Sequence, residues 1–239
     1  MSAVVSPEWL VLREPADAAA RSTELAERLA RHLTGPLVIH DLGGGSGSMG
    51  RWLAPQLPGL QHWVIHDRDA NLLELVEAPA EVRLSDITRL TPGDLAGASL
   101  VTASALLDLL TRDELKRVLR ACEGLPMLFA LTVTGRVALD PAEPLDARIG
   151  AAFNAHQRRD GLLGPDAVAQ LRGVVRPSPW QLGPDHTDLI AEWFDGWIAA
   201  ACEQEPELAA GAYRERRLAQ IAAGELRVTV DHADVLVLP

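Results

Sequence analysis

At 239 residues and a net charge of −11, the chain is long enough to bury a full core without disulfides or metals, and it lacks the basic balance of a protein that lives on nucleic-acid phosphates. Its two cysteines, Cys122 and Cys202, show no metal-ligand spacing and read as small core residues of a reducing compartment. No run of about 18 apolar residues marks a membrane span, Met1 to Glu14 lacks an apolar secretory core, and the only lysine is Lys116, which argues against Schiff-base chemistry. A cytoplasmic protein with neither nucleic acid nor membrane as partner is expected.

The predicted elements begin with one or two helices over Ala16 to Leu33, with Leu25, Leu29 and Leu33 on one side. From Leu37 to Thr134, short apolar runs alternate with helical stretches, the pattern of a parallel sheet with crossover helices. The spacing predicts strands at Leu37–Asp41, His62–His66, Glu81–Leu84, Ser99–Ala103 and Met127–Val133. It predicts helices at Met49–Gln56, Ala70–Val76 and Arg112–Cys122, the last with a Thr111/Glu114 capping box and Gly124 as its stop. Helices follow at Leu145–Arg159, Gly164–Leu171, Thr187–Gln204 and Pro206–Ala222. A sixth strand starts at Val174-Val175, limited by Pro177 and Pro179, and a last strand covers Arg227–Val230 and Val235–Leu238 with a break at Asp231-His232.

The most informative stretch is Asp41-Leu42-Gly43-Gly44-Gly45-Ser46-Gly47, between the first strand and the next helix. Such glycines let the backbone turn sharply and approach a ligand with no Cβ in the way. The helix start beyond them offers free N–H groups, and the acid before them can attract an ammonium, so a small zwitterion suits the turn. Acidic-x-Gly-x-Gly-x-Gly after a first strand resembles motif I of the class I S-adenosylmethionine-dependent methyltransferases. Later residues fall in that family's order. Asp67, followed by Arg68, ends the second strand, where relatives hold the ribose hydroxyls. Asp86-Ile87 ends the third, where an acid accepts from the adenine amine and an apolar side chain packs on the ring. Ser104 ends the fourth, beside the methionine part of the cofactor.

The resemblance covers Pro36 to Thr134 and implies a Rossmann-like α/β fold: a mostly parallel seven-stranded sheet, helices on both faces, extra N-terminal helices and a helical insertion before the last strand. It implies one domain over 1–239, with a helical cap (1–35), a cofactor-binding core (36–135) and substrate-side helices with the sheet edge (136–239). The implied cofactor is S-adenosylmethionine, with S-adenosylhomocysteine as product and a small molecule as methyl acceptor. Asp108, a polar interruption among leucines, and His156, on the apolar face with Ile149, Ala152 and Phe153, are the candidate catalytic residues. Arg13 or Arg21 could meet the cofactor carboxylate, or lie on a solvated helix face. Arg148 and Arg159 suit an anionic substrate group or balance neighbouring acids. Trp193 and Trp197 read as core, or as the wall of an apolar substrate pocket or an oligomer interface; His232 reads as a turn residue, or as one facing the active site.

Two alternatives stay open. One is a protein of the same fold that binds S-adenosylmethionine without transferring methyl. The other is a nicotinamide oxidoreductase, because Gly45-x-Gly47-x-x-Gly50 also fits a dinucleotide fingerprint. Against the second, Tyr213 and Lys116 lie 97 positions apart and cannot form the Tyr–Lys pair of short-chain dehydrogenases.

Overall fold

The computed structural model describes residues 6–77 and 79–239; residues 1–5 of the expected cap and Ala78 lie outside the described residues. Eight strands form a single sheet: β1 (Leu37–Leu42), β2 (Gln61–Asp67), β3 (Ala80–Leu84), β4 (Leu100–Ser104), β5 (Met127–Asp140), β6 (Val174–Pro177), β7 (Trp180–Leu182) and β8 (Arg227–Val237). The order is β3-β2-β1-β4-β5-β8-β6, with β7 also paired to β8. Strands β1 to β5 run parallel, and β8 returns antiparallel between β5 and β6. The order reverses between β1 and β4, the switch point where open α/β sheets take ligands beyond the strands' carboxyl ends. Both strands are almost wholly buried, as crossover helices on the two faces require.

The helices are α1 (Pro7–Ala20), α2 (Thr23–Ala30), α3 (Ser48–Leu53), α4 (Ala70–Leu73), α5 (Arg112–Ala121), α6 (Asp146–Gln157), α7 (Thr187–Gln204) and α8 (Gly211–Ala222). Local chemistry sets their ends. Ser6 caps α1 through a 3.1 Å bond from Trp9 N, with Pro7 at the first helical position. Thr111 and Glu114 close the expected capping box on α5, Thr111 N donating to the Glu114 carboxylate at 2.8 Å and Glu114 N to Thr111 Oγ1 at 3.3 Å. Leu115 and Val118 turn its apolar face into a core with Val101, Ala103 and Phe129. A second cluster joins α2 and α3 to β1 through Leu25, Leu29, Ile39 and Leu53. A third, built on Phe194, Trp197 and Tyr213, holds α6, α7 and α8 together against β7 and β8.

Several boundaries differ from expectation. Helix α4 is one turn long, because the chain must reach β3 directly after Pro79. Gly164–Leu171 forms two short 3-10 turns rather than a helix, since Gly164 takes φ +50 and the segment is too short to sustain α-helix. Strand β5 continues to Asp140 through two register shifts, and β8 is continuous across Asp231-His232, with His232 opposite Val133. Asp234 explains how β8 tolerates an acid inside the sheet. Its carboxylate accepts from Leu131 N at 2.8 Å, freed where β5 bulges at φ +54, and from Ser22 N at 2.7 Å ahead of α2. Strand β7 was not expected. The helical insertion before the last strand is α7 and α8, and it packs as a helical layer beside β7 and β8.

Among the described residues, no helix is long and apolar enough to cross a membrane.

Candidate functional site

The end of β1 carries Asp41 to the floor of a cavity of about 700 Å³ at the switch point. The side chain is fully buried. Its Oδ1 accepts from Thr102 Oγ1 on β4 at 2.7 Å, and its Oδ2 has no hydrogen-bond partner. Burial pushes this carboxyl up to about 7, against the opposing pull of the Thr102 hydrogen bond and the Arg21 charge. Gly44 arches directly over it: a Cβ there would sit 2.5 Å from Asp41 Oδ2 and 2.8 Å from Ile65 Cγ2. Gly47, at φ +85, closes the turn with a 2.8 Å bond to Gly44 O and precedes the six-residue α3. A buried acceptor atom under a backbone arch with no room for a side chain fits an ammonium-bearing ligand.

Asp67 braces this arch from β2. Gly45 N donates to its Oδ2 at 2.9 Å and Asp69 N to its Oδ1 at 2.9 Å. Asp86 caps the turn Ile87–Arg89, accepting from Thr88 N at 3.0 Å and Thr88 Oγ1 at 2.7 Å. The Thr88 hydroxyl holds the Asp86 carboxyl below its usual range. Asp86 thus caps a turn and also lines the cavity. Asp41, Gly43, Gly44, Gly45, Asp67 and Arg68 all line this space, as do Asp86, Ile87 and Ser104; Gly47 shapes the turn without lining it.

Arg21 is buried against the site without reaching the cavity wall. It donates to Ser104 Oγ at 3.1 Å and Ser48 Oγ at 3.3 Å, lies over the Trp52 ring, and is held below its ordinary pKa by burial. Arg13, one helical turn from Asp17 on α1, does line the cavity. Its Nε and Nη2 meet the Asp17 carboxylate at 2.9 and 3.1 Å, and the guanidinium lies 5.0 Å from the Trp180 ring centroid. Trp180 Nε1 donates to Asp17 Oδ1 at 2.9 Å, so α1 is fastened across β7.

The two catalytic candidates fall differently. Asp108 lies in the turn after β4, 8% exposed, behind the leucines that face the cavity. Its Oδ1 has no partner, and burial pushes its carboxyl up to about 6. His156 is not brought to the cavity. Its Nε2 meets Glu203 on α7 at 3.0 Å, and Arg159 binds the same carboxylate at 2.6 Å. A histidine on the apolar side of α6 faces another helix, because α7 covers that side. Arg148 likewise pairs with Glu205. Arg148 and Arg159 balance the acidic end of α7 and do not line the cavity at the switch point. Trp193 and Trp197 stack 5.3 Å apart in the helical core. His232 is no turn residue: it is buried in β8, edge-on to Trp180 at 5.3 Å, with Nδ1 unpartnered and its pKa lowered by burial to about 4.

Thr102, Asp17 and Trp180 were not anticipated. A threonine within an apolar strand was the one available hint; the others depend on how α1 lies over the sheet. A buried pair was also missed: His40 Nδ1 and His66 Nε2 are 2.9 Å apart, and His66 Nδ1 meets Ser85 Oγ at 3.0 Å.

No protein-family model and no curated protein matches the sequence. Solved structures do match. One, from Anaeromyxobacter dehalogenans and described provisionally as a type II methyltransferase, shares 16% identity over 92% of this chain and 97% of its own, with a TM-score of 0.57. Another, described provisionally as a methyltransferase from an antibiotic biosynthesis pathway of Anabaena variabilis, shares 10% identity over 93% of this chain and 100% of its own, with a TM-score of 0.51. The chain has the fold of the class I methyltransferases, with one added strand and a helical insertion.

Proposed function

We propose that the protein is an S-adenosylmethionine-dependent methyltransferase acting on a small molecule in the cytoplasm, without nucleic acid as substrate. The observation that carries this reading is the unpartnered Asp41 Oδ2 beneath the Gly44 arch, continuous with Asp67 and Asp86 along one cavity. Asp41 would hold the cofactor ammonium, Asp67 the two ribose hydroxyls, and Asp86 with Ile87 the adenine. Vicinal hydroxyls suit a carboxylate with spare lone pairs, and Asp67 keeps some after its two backbone bonds. S-adenosylmethionine, when bound, supplies a methyl group activated by its sulfonium charge. The chain's own work is to hold the acceptor in line with that methyl and to exclude water. Leu10 of α1 and Leu106 and Leu110 after β4 supply an apolar wall for this. Incubation with methyl-labelled S-adenosylmethionine and a metabolite extract tests the reading. A labelled product other than cofactor breakdown is expected; cofactor binding with no labelled product would favour a non-methylating protein of the same fold.

A further inference from the structure

Strand β3 ends the sheet, and among the described residues no other strand pairs with its outer edge. An open edge is a template for another strand. Side chains alternate along it. Val82 and Leu84 stand on one face, 46% and 65% exposed, so this face keeps apolar surface in water. Glu81 and Arg83 stand on the other. Within the chain, Arg83 Nε donates to Glu81 Oε1 at 2.6 Å and Arg83 Nη1 to Asp94 O at 3.3 Å, while Nη2 has no hydrogen-bond partner among the described residues. His62 Nε2 meets Glu81 Oε2 at 3.3 Å.

The backbone fixes which residues can bond outward. Ser85 N donates to Asp67 O at 2.8 Å, so Ser85 turns its backbone groups toward β2. That direction reverses at each residue of a strand. Glu81 and Arg83 therefore also bond inward, and Ala80, Val82 and Leu84 present their N–H and C=O groups to the open side. An antiparallel second copy of β3 centred on Val82 matches this parity. Val82 pairs with Val82 and Ala80 with Leu84, each pair exchanging both backbone bonds. Glu81 then falls opposite Arg83 twice, in the non-hydrogen-bonded pairs where side chains come closest. Each Arg83 gains the other copy's Glu81 beside its own. On the opposite face, Val82 meets Val82 and Leu84 meets Ala80.

The adjacent registers of the same parity fail. Pairing Ala80 with Val82 sets Glu81 against Glu81, and pairing Val82 with Leu84 sets Arg83 against Arg83. Charges on an edge strand ordinarily discourage association. Here their order makes one register attractive and the two beside it repulsive, and the attractive register is the one a twofold axis produces.

We infer that two copies of the protein associate through β3, antiparallel about a twofold axis at Val82, into one sheet continuous across both copies. Five residues a side is far fewer than the roughly 20–30 of a standard interface, so the dimer is a weak one, with a dissociation constant of about 10–100 µM.

Sedimentation velocity of the full-length protein from about 1 to about 500 µM tests this, a range that brackets the expected constant. The wild type is expected to pass from monomer to dimer across it. Glu81→Arg alone and Arg83→Glu alone each set like charges opposite one another, and each is expected to associate at least tenfold more weakly. An equimolar mixture of the two variants restores both opposite-charge pairs and is expected to dimerise as the wild type does, as is the double variant Glu81→Arg/Arg83→Glu. Recovery in the mixture separates a specific edge pairing from damage to either variant's fold. Wild-type protein that stays monomeric throughout, single variants that associate as the wild type does, or a mixture that associates no better than its components overturns the inference. None of the residues Ala80–Leu84 lines the cavity, so such a result leaves the proposed function untouched.

Discussion

Replacing Asp41 with Asn separates stability from function in opposite directions. The Asp41 carboxyl is pushed from an ordinary 3.8 to about 7 by burial, with only the Thr102 hydroxyl and the more distant Arg21 charge opposing the shift. A folded-state pKa above the unfolded one means that the folded protein binds the proton more tightly. Stability is therefore fully present below about pH 4 and falls as pH rises toward 7. The gap corresponds to at most about 4 kcal/mol of folding free energy withheld from the ligand-free protein above pH 7. Asn removes the buried charge and keeps an oxygen for the Thr102 bond, but places an unpartnered N–H group under Gly44, which costs about 1–3 kcal/mol. The net expectation is a gain of about 1–3 kcal/mol at pH 8, or a Tm higher by about 2–10 °C for a chain of this size. Near pH 4, where the carboxyl is protonated anyway, the gain should turn into a loss of about 1–3 kcal/mol. S-adenosylhomocysteine affinity should fall by at least about tenfold, the lower end of a lost charge-assisted hydrogen bond. Thermal melts at pH 4 and pH 8 with calorimetric titration give both halves. If Asp41→Asn is less stable at pH 8, or binds the ligand as before, the buried-charge reasoning is wrong.

Further expectations concern other parts of the molecule. Asp67→Ala should weaken S-adenosylhomocysteine binding by about 1–3 kcal/mol by removing the hydroxyl acceptor, measured by the same titration. His156→Ala should leave cofactor affinity and turnover unchanged, because its partner is Glu203 and not the cavity; a loss of turnover in that variant would return His156 to the site. Arg217, with no exposed side-chain surface, bonds both Asp146 oxygens at 2.6 and 2.7 Å and Pro141 O at 2.7 Å. Arg217→Ala leaves the half-buried Asp146 carboxylate with only Glu143 N and Tyr213 Oη as partners and should destabilise the fold by about 1–3 kcal/mol in urea unfolding. Salt-sensitive, tight RNA or DNA retention in a filter-binding assay should not occur, given the −11 charge.

Much of the fold's parallel half was legible because its strands stop at or near polar residues that line the cavity: Asp41, Asp67, Asp86 and Ser104. Capping chemistry fixed α5 to within a residue, since Thr111 and Glu114 act locally. The antiparallel half was harder to read. Asp231-His232 looks like a break in a strand, yet the ladder runs through it, and Asp234 just beyond satisfies a bulge 103 positions away. His156 misled for a similar reason. Helical periodicity gives the buried face of α6, but not whether a cavity or α7 lies opposite. The contact of Arg13 and Asp17 with Trp180 joins two distant segments through the placement of α1, which no local pattern encodes.

The most direct test of the central claim is calorimetric titration of the purified protein with S-adenosylmethionine and, separately, with NAD. Binding of S-adenosylmethionine at micromolar or tighter affinity, with no measurable heat from NAD, is the predicted result. Preference for NAD would contradict the assignment of Asp41, Asp67 and Asp86 and the function built on it.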